Sequence, residues 1–491
     1  PFMDHGYYFT QFHGWHTLPL RYLINFHTVD TDAEMQAYIS RISGFGRGLR
    51  QIIQRTQVAA DKGVRPPRFA YAFVIDESRK IIGGKPFDDS ASDSAIYTDG
   101  QSKIAQLQSR ELITEARARE LQNQLHAALM EELQPAYLEL IAWLEKDVNN
   151  ASAEPQGVYS LPNGEAYYQR QLEYYTHSDM TADEVHQLGL AEVKRIRAEM
   201  DEIRIALGFE GDLADLFEYV RSNPRFYHPN TDEGRALYLD ETRAYLAQMN
   251  TQLPAYFGLL PRSKLVVKRV EPYREQDGAA QFYQRGTADG SRPGVYYVHL
   301  SDMAANNLTD QETVAYHEGN PGHHMQLSIA QELTDIPKFR TTSGYSAYSE
   351  GWALYSEKLS KEMGAFNDPY NDFGRLVGEI WRAIRLVVDT GLHARGWSQE
   401  KAVQYMLENS SIPEAAVRSE IRRYLVAPGQ ATSYKAGMIK ILTLRGKAEQ
   451  SLGERFDIRA FHDVVLGGGA LPLPILESSV NDWIESAAAV N

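Results

Sequence analysis

Three observations predict a mainly α protein with helical layers around a deep cleft and a small antiparallel β-sheet. Apolar residues recur at three- and four-residue spacing along most of the 491 positions. Only the stretch from Lys264 to Leu300 carries β-branched and aromatic runs with Gly and Pro between them. A helical His-Glu motif follows directly, which places the sheet beside that helix.

In chain order, residues 32–59 and 101–148 read as amphipathic helices. Ile104 to Leu144 is long enough for a helical hairpin or one extended helix, with a break or kink at Pro135. Thr181-Ala-Asp-Glu184 is a capping box leading into Leu188, Val193 and Ile196. Asp232 to Met249 is a further helix that Pro254 stops. Leu265 to Val270 and Val295 to Leu300 are the strands, and the second could offer an edge to an extended peptide. From Glu312 to Asn491 helices resume, interrupted near Gly364–Asp368, Gly396 and Pro428–Gly429. This divides the chain into an N-terminal helical region, 1–260, and a catalytic helical region, 261–491, with the sheet in 261–300. The two are expected to form one intertwined unit containing the cleft.

A formal charge of −15 leaves no basic surplus for phosphates and argues against a nucleic-acid binder. No run of 18 apolar residues is present, so nothing in these residues spans a membrane. With no Cys, thiolate ligands and a cysteine nucleophile are excluded. The chain begins at Pro1 without an initiator Met, which points to a signal or anchor segment removed or omitted.

The chemistry concentrates in Tyr316-His317-Glu318-Gly319-Asn320-Pro321-Gly322-His323-His324-Met325-Gln326. In H-E-x-x-H motifs, two His about one helical turn apart bind one metal, and the Glu takes a proton from water. Here the next His comes six residues after His317, which on an unbroken helix turns it away by about 120°. Pro321, flanked by Gly319 and Gly322, makes an unbroken helix untenable, and a local loop-out would bring His317 and His323 back together. Removing two residues restores H-E-x-x-H-H-x-Q with His323 as ligand. His324 is the runner-up, nearly on the face of His317 but about 10 Å along the axis. Thr309 or Asp310 would cap this helix.

A catalytic zinc takes three protein ligands and keeps one position open. Without Cys, the third donor is His, Glu or Asp. Glu350 has Ser346, Ala347, Ala353 and Leu354 as its helical neighbours, an inward face where a carboxylate needs a cation. Glu357, close to Ser360 and Lys361, has a surface explanation, and Gly351 would let this helix approach the motif helix. Tyr434 is a candidate oxyanion donor, with Gln430 or Lys435 nearby, or else a core Tyr. Arg382, Arg385, Asp389 and His393 form a polar stripe on one apolar helix. It would line the cleft, meet a substrate carboxylate or tie helices together.

His-Glu-Gly-x-Pro-Gly-His-His-x-Gln, Ser-Glu-Gly-Trp-Ala-Leu-Tyr, Arg-Leu-Val-Val-Asp-Thr-Gly-Leu-His and Pro-Gly-Gln-Ala-x-Ser-Tyr-Lys span residues 317–435. Together they resemble a bacterial family known as domain of unknown function 885. The N-terminal half, including Ala37-Tyr-Ile-Ser-Arg41, resembles it too. Members are named as putative lipoproteins, which implies a periplasmic or cell-envelope location. The family in turn resembles gluzincin-like helical zinc peptidases of the angiotensin-converting-enzyme and neurolysin type. That resemblance implies a two-lobed helical metallopeptidase-like architecture with Zn2+ on His317, His323 and Glu350. It also implies Glu318 as general base and Tyr434 as oxyanion donor. The expected function is a zinc-dependent hydrolase, a peptidase cleaving short peptides. The alternatives are hydrolysis of a non-peptide amide or modified amino acid, and a binding protein with a degenerate peptidase site.

Overall fold

The computed structural model describes residues 2–272, 275 and 280–489. Helix forms where the three- and four-residue apolar spacing predicts it, and among the described residues one three-stranded sheet interrupts it. The chain forms two compact units. One holds the residues up to Tyr167 with Leu425–Ala427, the other Tyr168–Tyr424 with the residues from Pro428 onward. The division thus falls earlier than the boundary at residue 260 expected from sequence. Residues beyond 167 belong with the C-terminal part because they pack there, as Gly189 does against Leu386 and Val387.

The first unit contains α1 (Leu18–Phe26), α2 (Asp32–Asp61), α3 (Arg68–Ile81), α4 (Ala95–Ser109), α5 (Glu115–Ala127) and α6 (Gln134–Asp147). Thr31, Ser94 and Thr114 each start a helix by accepting a backbone N–H with the side-chain hydroxyl. The Ile104–Leu144 stretch is a hairpin, turning between α4 and α5. Pro135 does not break its second arm. A π-helical turn, Ala128–Leu133, precedes it and shifts the hydrogen-bond ladder where proline cannot donate. Met35, Tyr38, Ile42, Leu121, Leu125 and Leu129 fill this unit's core.

After α7 (Gly164–Thr176), within which the division falls, come α8 (Ala182–Ala206), α9 (Leu213–Ser222) and α10 (Asp232–Tyr256). The Thr181–Glu184 capping box opens α8 with both reciprocal bonds. Pro254 lies inside the last turn of α10, so the helix runs slightly past it. Strands β1 (Leu265–Arg269), β2 (Phe282–Gln284) and β3 (Gly294–Val298) follow, in the order β1-β3-β2. The sheet is mixed, not antiparallel as the sequence suggests. β2 runs antiparallel to β3, but β1 runs parallel to it. The segment between β1 and β3 exceeds the dozen or so residues a parallel crossover needs. Strand β3 is central and buried at every position, so it is not the open edge expected; β1 and β2 are the edges.

The remaining helices are α11 (Leu308–Glu318), α12 (His323–Glu332), α13 (Ser346–Glu362), α14 (Pro369–Ala394), α15 (Gln399–Asn409), α16 (Glu414–Val426), α17 (Ser433–Leu452), α18 (Ile458–Gly467) and α19 (Leu473–Ala489). The predicted interruptions at 364–368, 396 and 428–429 separate α13 from α14, α14 from α15 and α16 from α17; the break between α15 and α16 has no counterpart in the sequence reading. Asn307, not Thr309 or Asp310, caps α11. Its side-chain Oδ1 accepts from the Thr309 N–H at 2.9 Å and the Thr309 hydroxyl at 2.8 Å, so the helix starts earlier. Tyr296, Tyr316, Met325, Trp352 and Met438 share one core, which joins sheet, motif helices, α13 and α17.

Candidate metal centre

His317 and Glu318 occupy the last turn of α11, and His323 opens α12. The residues between them, Gly319 to Gly322, leave the helical path, and the Asn320–Pro321 peptide is cis. Gly322, just before α12, packs directly on the end of α11. A Cβ there would lie 2.1 Å from the carbonyl oxygen of His317 and 2.3 Å from that of Tyr316. Helix α13 fixes the linker from the other side. The Trp352 indole N–H donates to the Pro321 carbonyl at 2.9 Å, and the Ser356 hydroxyl to the same oxygen at 3.2 Å.

This detour brings the two imidazoles together, with ring centroids 4.8 Å apart and planes at 88°. Nε2 of His317 lies 3.7 Å, and Nε2 of His323 3.5 Å, from the same Oε2 of Glu350. Ligand atoms of His317, His323 and Glu350 all lie within 4.8 Å of one another. His324 is directed elsewhere. Its Nε2–H donates to the Ser263 carbonyl at 3.2 Å, and its Nδ1 accepts from the Tyr283 hydroxyl at 3.1 Å. Burial holds the His324 pKa down at about 4, in keeping with a neutral ring.

The donor set fits a zinc ion. Two ligands about 2.0–2.1 Å from a tetrahedral zinc stand roughly 3.3–3.4 Å apart. A direct charge-assisted N–H···O bond would instead close to about 2.7–2.9 Å. The His–Glu350 separations of 3.5 and 3.7 Å lie near the first figure. The contact between His317 Nδ1 and Glu357 Oε1, at 2.7 Å, matches the second. In the neutral ring that a metal would require, that bond puts the His317 proton on Nδ1 and turns the Nε2 lone pair to Glu350 and His323.

Glu357 is therefore no surface residue, contrary to the sequence reading. It is 2 % exposed, and Lys361 pairs with Asp372 at 2.6 Å instead. Its spacing from Glu350, two helical turns on the same face, is the sequence signal for this role. Trp352 and Ser356, which hold Pro321, carry no comparable signal. Gly351 faces α17 rather than the motif helix: a Cβ there would come within 2.5 Å of the Gly437 backbone.

Charge accumulates at the site. Burial alone would lower the His317 pKa, but the carboxylates of Glu350 and Glu357 outweigh it and raise it to about 9. Glu350 is held well below the usual carboxylate range, because His317 and His323 overcome its burial. Glu318 is buried beside them. Its pKa is pushed up by burial, while His323, His317 and the backbone N–H of Tyr283 in β2 act in opposition.

Tyr434 stands in the first turn of α17, where the hydroxyls of Ser433 and Ser346 meet at 2.7 Å. Burial and then the charge of Glu350 raise its phenol pKa, which places Tyr434 in the electrostatic reach of the cluster. Gln430 hydrogen-bonds this phenol. Lys435 does not join them. It is fully buried against Glu379 at 2.7 Å and Glu192 at 2.9 Å. The polar stripe of α14 also divides. Asp389 accepts from the Tyr168 hydroxyl at 2.6 Å and the Gly429 N–H at 3.0 Å. His393 donates to the Tyr424 carbonyl at 3.0 Å, and Arg382 to that of Gly378 at 3.1 Å. Only Arg385 lies against Tyr434, its guanidinium carbon 4.5 Å from the ring centroid.

Comparison with known proteins bears out the resemblance to the DUF885 family. The model of a family described as bacterial protein of unknown function, DUF885, matches residues 3–480. The crystal structure of a putative lipoprotein from Colwellia psychrerythraea is 34% identical, with a TM-score of 0.89. The match covers 98% of this chain and 81% of that one. A putative lipoprotein of unknown function from Shewanella oneidensis shares the fold at 20% identity and a TM-score of 0.69, over 94% of this chain and 80% of that one. No curated protein matches. The chain belongs to the bacterial DUF885 family.

Proposed function

We propose that this protein is a zinc-dependent hydrolase, a peptidase that cleaves short peptides with Glu318 as general base. The observation that carries the reading is the convergence of His317 Nε2 and His323 Nε2 on one oxygen of Glu350, at 3.7 and 3.5 Å, beside a buried Glu318. His317, His323 and Glu350 would hold the metal. A bound zinc supplies Lewis acidity, which polarises a carbonyl and makes water a competent nucleophile near neutral pH.

The chain's own residues would do the rest. Glu318 takes the proton of the attacking water and delivers it to the leaving amine; its upward-shifted pKa makes it a stronger base for the first step. Tyr434 donates its phenol O–H to the developing oxyanion. Glu357 keeps the His317 ring in the tautomer that presents Nε2. Strand β2, an edge of the sheet, contacts Glu318 through the Tyr283 N–H, which supports docking of an extended peptide there. The reading is the one implied by the family's distant resemblance to gluzincin-like helical metallopeptidases. The names of the two structural relatives favour a cell-envelope location, and among the described residues no helix is long and apolar enough to cross a membrane.

Elemental analysis with peptide-library cleavage profiling tests this. The protein should carry one zinc and cut short peptides, and Glu318→Gln should keep the zinc while losing about 10²–10⁴-fold in rate. Full zinc occupancy without cleavage of any peptide would rule out the peptidase reading. Absence of zinc would leave only a binding protein.

A further inference from the structure

Among the polar groups around Tyr434, one buried cation is incompletely partnered. Arg385 is 6 % exposed. Its Nε donates to the Tyr424 hydroxyl at 2.9 Å and its Nη2 to Glu420 Oε2 at 3.0 Å. Nη1 is buried and has no hydrogen-bond partner. Glu420 does not embrace this guanidinium with both oxygens. Its Oε2 also accepts from Arg423 at 2.9 Å and Tyr424 at 2.6 Å, and its Oε1 accepts from Arg423 at 3.1 Å. The rings of Tyr434 and Trp381, 4.5 and 5.0 Å from the guanidinium carbon, stabilise the charge but accept no conventional hydrogen bond.

An arginine N–H left in this state costs free energy, and the group that best relieves it is a carboxylate. Position makes the vacancy relevant to the metal centre. Tyr434 is the shared neighbour: Arg385 lies over its ring, and Glu350 acts on its hydroxyl. The close approach of Gly351 to Gly437 and the Ser346–Ser433 hydroxyl contact hold the Glu350 turn of α13 against the first turns of α17.

We propose that Arg385 binds a carboxylate of the substrate through Nη1, so that the site selects acids whose carboxylate lies a short distance from the scissile amide. This rests on the hydrolase reading for its catalytic meaning but not for its test. The carboxylate is either the C-terminal one of a short peptide or an acidic side chain.

The test is calorimetric binding of N-acetyl dipeptides to the full-length Glu318→Gln protein, with and without added zinc. One arm compares a free C-terminus with its amide, the other a Glu side chain with Gln. The free acid in one arm should bind about 10- to 100-fold more tightly than its neutral counterpart, and that arm names the source. Arg385→Met should abolish the difference. Arg385→Lys keeps the charge beside Glu420 but loses the fork, and should remove most of it. It also decides the matter if the Met variant does not fold. Equal binding of acids and neutral counterparts, or a preference that survives both substitutions, overturns the proposal. If acids bind through Arg385 but no amide is cut with zinc present, the hydrolase reading fails and this one stands. If peptides are cut without regard to charge, the reverse holds.

Discussion

Replacing Glu357 with Gln should weaken zinc binding by an amount that depends on pH in a definite way. The His317 Nδ1–Glu357 Oε1 bond is 2.7 Å long, and the other oxygen, Oε2, is buried with no hydrogen-bond partner. The carboxylate therefore acts on the imidazole with little competition. Gln can still accept from Nδ1–H, so the variant loses the charge and keeps the bond. A bond to a charged group contributes about 1.5–3 kcal/mol and a neutral one about 0.5–1.5, a difference of roughly 1–2 kcal/mol, or about 5- to 30-fold in affinity. The same carboxylate helps raise the metal-free His317 pKa to about 9, and zinc must displace that proton. At pH 7 the native protein thus loses about two decades of affinity to proton competition, by the rule that each pK unit is about 1.4 kcal/mol. The variant loses less. Chelator competition from pH 6.5 to 9.5 should show the full deficit of Glu357→Gln at the alkaline end and a narrowing gap toward neutrality. A ratio of affinities that does not change with pH, or no deficit at pH 9.5 in a folded variant, would refute the reasoning.

Other consequences can be checked on the same preparations. His323→Ala should lose the zinc, whereas His324→Ala should keep it and lose about 1–3 kcal/mol of stability, because the Ser263 carbonyl loses its partner and the Tyr283 hydroxyl keeps only Ser328; metal content and urea melts separate the two. Gly322→Ala puts a methyl 2.1 Å from the His317 carbonyl oxygen and should cost several kcal/mol along with the metal, read by thermal melting and zinc content. In the metal-free protein, the raised His317 pKa gives a stabilisation fully present below about pH 6.5 and lost as pH rises through 9. Chelated protein should therefore melt progressively lower across that window. Asp389 behaves in the same sense: burial raises its pKa from the ordinary 3.8 to about 7, so a stabilisation present below pH 3.8 is lost as pH rises to about 7 and does not change above it. Asp389→Asn should therefore gain on the native protein by up to about 4 kcal/mol between pH 4 and pH 7, and no further at pH 8.5, in urea denaturation.

How far the sequence reaches can be judged residue by residue. Periodicity places the helices because each buries one stripe, and Pro321 between two glycines is enough to deny a continuous helix through the motif. What periodicity cannot supply is direction in space. β3 reads as a strand but not as the central one, since pairing depends on a return of the chain that no local pattern encodes. Gly351 reads as a site of close approach, but the partner is α17 and not the motif helix. Glu357 shows the same limit at the site. Its neighbours Ser360 and Lys361 suggest solvent, and only the pairing of Lys361 with Asp372 on α14 removes that explanation. The His323–His324 choice is a further case. The motif string favours His323, but the geometric reason lies in Gly322, Trp352 and Ser356, which pull the linker out and start α12 one residue before His324. His324 is then turned toward β2 and Ser263, and its ring becomes the brace that holds the sheet against α12. The motif's insertion and the adjacent histidine pair thus have one cause: the extra residues buy the approach of His323 to Glu350, and His324 fixes the helix that carries it.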